Sequence, residues 1–276
     1  MADELPSEFG PVFLLEPSVT HTHTAILLHG RGSTGEEFAE ELSETLLSDQ
    51  QTLMQALPSW RWVFPSSQEL WNPLFEERMP AWFEAHSLTE ITAKQDLQSS
   101  GIRDAVGYLE GIWKSEVERL GGQASNVVLG GVSQGGAIGM WTMLSIKSKT
   151  PSTIPGAFVG ASTWLPFVTD VEAFLTQFNS DKSQQSDGME FVKSMLGSHS
   201  ENVLPPTPVF LGHGTDDAYV DVELGRQARG VFSRAGCIVE WKEYAGAEQE
   251  GHWLKAPEEM DDIAHFLQRI ELMSQI

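Results

Sequence analysis

Cysteine is almost missing from this 276-residue chain. Cys237 stands alone, which excludes an intramolecular disulfide and any metal site built from several cysteines. Basic residues are scarce as well: 17 Lys and Arg face 39 Asp and Glu, for a net charge of −22. Phosphate backbones are bound by lysines and arginines that displace counterions, so nucleic acid is not expected as a partner. The same imbalance disfavours adsorption to an anionic membrane. No uninterrupted apolar run approaches the ~18 residues of a membrane-spanning helix. The first ten residues are acidic and lack the basic start and apolar core of a secretory signal. Together these absences predict a cytoplasmic protein with no transmembrane segment. Neither repeats nor a long linker divide the chain, so one domain over residues 1–276 is expected.

What is present is ample material for a core. Hydrophobic residues make up 41% of the chain, with nine Trp and fourteen Phe, which argues against global disorder. Short apolar runs ending in glycine or polar turns predict strands over 24–28, 62–65, 127–130, 157–160, 209–212 and 238–244. Longer segments with helical spacing lie between them, over 35–57, 93–120, 134–147, 222–235 and 257–273. This alternation predicts an α/β fold with a largely parallel sheet and helices on both faces. In the last segment Met260, Ile263, Ala264, Leu267 and Ile270 recur at spacings of three and four, so it is read as an amphipathic helix in which His265 packs or faces solvent. The polar stretch at about 179–206 breaks the rhythm and is expected to be an insertion into the core fold.

The run Gly131-Val132-Ser133-Gln134-Gly135-Gly136 joins a predicted strand to a predicted helix. Such a turn strains the serine backbone and lifts its hydroxyl clear of the sheet, provided small residues flank it. A GxSxG match alone is weak, because chance supplies one in roughly ten chains of this length, and a glycine-rich turn closing a strand explains it equally well. The context adds weight. A serine nucleophile needs a base and an acid that orients the base. In this architecture both follow in chain order at later strand ends. After strand 209–212 comes His213-Gly214-Thr215-Asp216-Asp217, with two candidate carboxylates. After strand 238–244 a glycine-rich loop leads to His252, the candidate base. Asp and Gly are also ordinary turn residues, so it is the joint occurrence in this order that points to Ser133 and His252 with Asp216 or Asp217. The turn His29-Gly30-Arg31-Gly32 after the first predicted strand presents backbone amides. The amides of Arg31 and Gln134 are the natural pair for an oxyanion. His29 itself is expected to hydrogen-bond that loop rather than to act chemically.

These segments resemble the acyl-protein thioesterase and lysophospholipase-like carboxylesterases of the α/β-hydrolase class. The resemblance spans most of the chain. Residues 28–35 are similar to that family's LHGxGDTG loop, 79–83 to its MxxWF segment, 131–137 to its GFSQGGA elbow and 162–166 to its SxWLP. It implies a single-domain α/β-hydrolase fold and assigns the acid to Asp217 through an HGxxDxxV pattern. It further implies hydrolysis of ester or thioester bonds through an acyl-enzyme, with neither metal nor organic cofactor. An apolar acyl channel is implied, with Trp82, Phe83 and Trp164 as its walls. The expected partner is an acyl ester or thioester, such as an S-acylated protein or a lysolipid. Small-ester hydrolysis, acyl transfer or cyclisation on the same three residues, and noncatalytic acyl binding are the alternatives. The chain departs from the family at Arg31, where an apolar residue is usual, and at Ser33, where the family has Asp. The Arg31 guanidinium suggests a preference for substrates bearing an anionic group. Further departures are the insertion at 179–206 and residues 66–77, which offer Trp71 and Phe75 in place of a proline-rich turn.

Overall fold

The computed structural model describes residues 8–72, 75–87, 90, 93–149, 155–176, 186–197 and 206–274. Its centre is a seven-stranded sheet formed by β1 (Phe13–Leu15), β2 (His23–Leu28), β3 (Trp60–Phe64), β6 (Val127–Val132), β7 (Ala157–Ala161), β8 (Pro208–Gly214) and β9 (Ile238–Tyr244), in the order β1-β3-β2-β6-β7-β8-β9. Only β1 runs antiparallel to its neighbour. A separate hairpin, β4 (Gln68–Asn72) with β5 (Glu77–Ala81), pairs Gln68 with Ala81 and Asn72 with Glu77. The predicted α/β architecture is therefore present. Strands β2, β6 and β7 are buried along their whole length, as expected when helices cover both faces.

Two hydrophobic clusters correspond to the two faces. On one, β6 and β7 pack against α3 (Gln98–Arg119), α4 (Gln134–Lys149), α5 (Val168–Thr176), α6 (Asp187–Leu196) and α7 (Val222–Arg234). On the other, Phe38, Ala39 and Leu42 of α1 (Gly35–Glu44) and Leu53 of α2 (Leu53–Ala56) meet Met260, Ile263, Ala264 and Leu267 of α8 (Glu258–Met273). The apolar spacing read in the last segment thus does face the sheet, and His265 is exposed.

Several boundaries differ from the sequence expectation for local reasons. The single helix expected over 35–57 is two. Thr34 caps α1 in a capping box with Glu37, and Thr52 caps α2 in a second one with Gln55. Between them Asp49 Oδ1 accepts the Gln51 amide and Gln50 adopts φ 68°, a local side-chain turn that outcompetes helix. The helix expected from 93 begins at Gln98 after a 3-10 turn, because Lys94 is left-handed at φ 51°. The strand expected at 62–65 begins two residues earlier, at Trp60. Strand β1, the β4–β5 hairpin and α5 had no expectation. Within the expected insertion, residues 187–196 form α6 and the remainder lies mostly outside the described residues.

The strand order places the site. From β2 the chain crosses to β3 on one side and later returns to β6 on the other. The carboxyl ends of β2 and β6 therefore open a crevice where the topology reverses, the usual ligand position in parallel sheets. At that crevice α4 enters against β2 with no space to spare: a Cβ on Gly135 would stand 2.1 Å from the Leu28 carbonyl oxygen. Gly135→Ala must therefore push the helix start away from the strand. The expected outcome is a loss of about 1–3 kcal/mol or more in urea unfolding; an unchanged midpoint would contradict this packing.

Candidate active site

Ser133 sits between the last residue of β6 and the first of α4, at φ 54°. A non-glycine residue in this region is strained and persists only where its surroundings enforce it. Here the Ser133 amide donates to the Ala161 carbonyl at 3.0 Å, and the Thr163 hydroxyl donates to the Ser133 carbonyl at 2.7 Å. Thr163 thus holds the turn from the neighbouring strand end.

The structure brings three of the sequence-selected side chains into one chain of hydrogen bonds. His252 Nε2 lies 2.8 Å from Ser133 Oγ, and His252 Nδ1 lies 2.7 Å from Asp217 Oδ2. A carboxylate only accepts, so Nδ1 carries the proton and Nε2 is left to accept from the serine hydroxyl. Asp216, the other candidate, points elsewhere: its Oδ2 accepts the Gly246 amide. The loop carrying His252 is brought against β8 by a backbone contact that only glycine allows, since a Cβ on Gly214 would meet the Gly251 carbonyl oxygen at 2.2 Å and Gly251 has φ 83°. The Tyr219 ring lies over His252 with centroids 5.4 Å apart.

The Asp217 carboxylate is fully buried. Burial alone would raise its pKa, but His213, His252 and the Val220 amide all donate to it and together hold it well below the usual carboxylate range. The Tyr219 and Val220 amides both donate to Oδ1 at 2.9 Å. His213 Nε2 lies 2.8 Å from the Val220 carbonyl and 3.4 Å from Asp217 Oδ2, so one N–H fixes both the acid and the turn that caps it. The sequence passed over His213 as a turn residue. The signal was its place at the end of a buried strand, four residues before Asp217.

The loop from Gly30 to Ser33 lies directly beside the serine: a Cβ on Gly30 would be 3.5 Å from the Ser133 Cβ. Neither the Arg31 nor the Gln134 backbone amide has a partner among the described residues. His29 accepts the Ser67 amide on Nε2 at 3.0 Å, so its Nδ1 carries the proton and donates to the Gly30 carbonyl at 2.7 Å. Burial lowers its pKa to about 4, so it stays neutral at pH 7 and serves the loop. Residues 80–85 form a strap over the same loop. The Gly32 amide donates to Pro80, Arg31 Nη1 donates to the Ala85 carbonyl at 3.0 Å, and Trp82 Nε1 donates to the His29 carbonyl at 2.9 Å. The buried Gln134 side chain ties the strap to the elbow, accepting from the Trp82 amide and donating to the Phe83 carbonyl.

Trp82, Phe83 and Trp164, expected as walls of an acyl channel, are 0–1% exposed. The cleft that holds Ser133 and His252, about 640 Å³, is walled instead by Phe38, Phe75, Met79, Tyr219 and Trp253. Trp82 and Trp164 are buried away from this lining, Trp82 held by its hydrogen bond to His29 and Trp164 by an edge contact with Phe83. Phe83 reaches a second, adjoining cavity. Trp82 and Trp164 thus belong to the core, Trp82 because its hydrogen bond to the His29 carbonyl turns it inward.

A parallel sheet with the Ser133 turn at its switch point, covered by helices on both faces, defines the α/β-hydrolase class. The comparisons with known proteins narrow this. The model of the family described as Phospholipase/Carboxylesterase matches residues 11–204, and the chain belongs to that family; it is a serine ester or thioester hydrolase. Acyl-protein thioesterase 1 of Yarrowia lipolytica is 27% identical over 261 residues, covering 94% of this chain and 96% of the relative. Among solved structures, acyl-protein thioesterase 2 of Zea mays superposes with a TM-score of 0.64 at 20% identity, covering 95% of this chain and 99% of the other. Arabidopsis thaliana SOBER1 gives 0.64 at 24%, covering 90% and 99%. At these identities the structural likeness speaks for the fold. Among the described residues, no helix is long and apolar enough to cross a membrane.

The loop carrying His252 rests on a buried carboxylic acid. Glu259, 2% exposed at the start of α8, accepts the Lys255 amide on Oε2 at 2.8 Å, and burial pushes its pKa up to about 8 from an ordinary 4.5. In the unfolded chain it ionises near 4.5, so its contribution to stability is full below that pH and is lost as pH rises from 4.5 to 8. His29 runs the other way: its contribution is full above pH 6.5 and is lost as pH falls from 6.5 to 4. Glu259→Gln is expected to raise Tm relative to the unsubstituted protein more at pH 8 than at pH 5. Equal differences at the two pH values would contradict a neutral, buried Glu259.

Proposed function

We propose that the protein hydrolyses carboxylic ester and thioester bonds of acyl substrates, with Ser133 as nucleophile, His252 as general base and then acid, and Asp217 as the group that orients and stabilises the imidazolium. The observation that carries this reading is the unbroken hydrogen-bond chain from Ser133 Oγ through His252 to Asp217, at 2.8 and 2.7 Å. A serine hydroxyl becomes nucleophilic at neutral pH only when a base takes its proton in the transition state. His252 already stands within reach of that proton and its tautomer is set correctly by the carboxylate. The low pKa of Asp217 keeps it ionised throughout, so it stabilises the positive charge on His252 without taking the proton.

In the first step Ser133 Oγ bonds to the carbonyl carbon, its proton passes to His252, and the carbonyl oxygen becomes an oxyanion facing the amides of Arg31 and Gln134. Two unpartnered N–H groups beside the serine suit that role, because preorganised donors act where charge develops and need no reorganisation. Collapse of the tetrahedral intermediate expels the thiol or alcohol, which takes the His252 proton, and leaves an acyl-Ser133 ester. Water, admitted through the open cleft, then gives its proton to His252 and attacks the ester, releasing the acid and restoring Ser133. The names of the curated relatives support an acyl group on protein thiol as one substrate, with lysolipids and small esters as the others to be compared. The acyl group contacts Phe75 and Met79 in this reading.

Ser133→Ala is expected to lower kcat for 4-nitrophenyl esters and acyl thioesters by about three orders of magnitude or more, as when a nucleophile acting in a unit is removed, with Tm little changed. Retention of a substantial fraction of kcat in a folded Ser133→Ala protein would sink the mechanism.

A further inference from the structure

The cleft at Ser133 has a neighbour. Arg31 and Met79 line both the cleft and a second cavity of about 180 Å³ bounded by the β4–β5 hairpin, Phe83 and Leu97. The two residues therefore border both the reacting atoms and this second space, which opens to solvent where Trp71 and Leu97 are exposed. Its remaining lining is apolar except for Asn72, Glu84, and His86 and Lys94, which are both exposed at its mouth.

Arg61, Arg119, Arg226, Arg234 and Arg269 each pair with a carboxylate, and Arg78, Arg103 and Arg229, for which no such pair is seen among the described residues, are exposed to solvent. Arg31 is half-buried, has no carboxylate partner among the described residues, and spends one donor on the Ala85 carbonyl. Burial without a counter-ion lowers its pKa, the signature of a cation held at a cost. A guanidinium offers five donors in a planar fork that matches a carboxylate, so most of its binding capacity is unused. The acid Glu84 also lines this cavity; its Oε2 is buried against the first turn of α3, 2.8 Å from where a Cβ on Gly101 would stand, accepts no hydrogen bond among the described residues and forms no ion pair with Arg31.

Which half of a substrate reaches Arg31 follows from the proton that His252 must deliver. The leaving group has to lie at the His252 end of the cleft, beside Tyr219, Glu250 and Trp253, since it takes its proton there. The acyl group then extends the other way, toward Met79 and Arg31. We propose that the second cavity is a subsite for an acyl group ending in a carboxylate, held by the Arg31 side chain, so that this enzyme favours esters and thioesters of dicarboxylic half-acids over uncharged acyl groups of equal length. This rests on the hydrolase reading above and adds its substrate class. The net charge of −22 does not oppose it, because charges beyond about 8 Å are screened at physiological ionic strength while Arg31 and Lys94 act at the cavity itself.

The test is a matched pair: the 4-nitrophenyl half-ester of adipic acid, and the same compound with its free carboxylate methylated. The unsubstituted enzyme is expected to prefer the carboxylate form by about ten- to a hundredfold in kcat/KM, mostly through KM, as for hydrogen bonds to a charged group. In Arg31→Met and Arg31→Gln, which keep the backbone amide, that ratio should fall toward one. Arg31→Lys should give an intermediate ratio, and Lys94→Met a smaller decrease. A ratio at or below one in the unsubstituted enzyme, or a preference unchanged by both Arg31→Met and Arg31→Gln, overturns the subsite. So does a preference for a carboxylate on the leaving group, read from hexanoyl 4-hydroxybenzoate against its methyl ester. Failure of the hydrolase reading is separable: in that case neither adipyl ester is cleaved and a fluorophosphonate does not label Ser133, whereas failure of the subsite alone leaves both esters cleaved equally and Ser133 labelled.

Discussion

The backbone of β2 and the first turn of α4 approach so closely that residue 135 has no room for a side chain: a Cβ there would meet the Leu28 carbonyl oxygen at 2.1 Å. Much of the site follows from that contact. It forces the chain to leave β6 sharply, puts Ser133 in a left-handed conformation at φ 54°, and points the N-terminal amides of α4 at the crevice between β2 and β6. It also sets the loop after β2 beside the serine. A strained residue is tolerable when its neighbours over-determine it, and here Ala161 and Thr163 on the adjoining strand end supply the restraint.

Around this turn the protein buries ionisable groups and controls their charge by what it places beside them. Asp217 is buried yet stays ionised because His213, His252 and backbone amides converge on it. His29 is buried with a backbone donor and a backbone acceptor, one on each ring nitrogen, and remains neutral. Glu259 is buried with a single amide and keeps its proton near neutral pH. Burial acts on all three, and the hydrogen-bond partners decide the outcome. The chain's large negative charge contributes little to this balance, since it resides mostly on exposed side chains that solvent screens.

The sheet and the order of its functional loops were legible in the sequence, because a buried parallel strand must be a short apolar run and the helix between two such strands must be amphipathic. Ser133 and His252 stood out through glycine spacing and chain order. Chain order alone left Asp216 and Asp217 open, and the HGxxDxxV resemblance favoured Asp217. Both sit in the same turn, and the backbone path gives the physical reason they differ: Asp216 faces Gly246 while Asp217 faces His252. The roles of Trp82 and Trp164 were equally hidden, since an aromatic beside a motif looks the same whether it faces the cleft or the core. For Trp82 its hydrogen bonds to Gln134 and His29 decide that, and for Trp164 its packing against Phe83 does. The hairpin β4–β5 escaped notice because Pro80 and the charged Glu77 and Arg78 break the apolar alternation that marks a strand. The break at Thr45 to Thr52 escaped for a different reason: capping-box residues are also ordinary exposed helix residues.

The central claim is that Ser133 accepts an acyl group from the substrate. Its most direct test is to mix the enzyme with a slowly deacylated 4-nitrophenyl ester, quench in acid during turnover, and map the adduct by peptide mass spectrometry. The account predicts one acyl group per chain, located on Ser133, formed in step with a burst of nitrophenolate. Turnover with no covalent intermediate, or an acyl group on any other residue that decays at the catalytic rate, would contradict it.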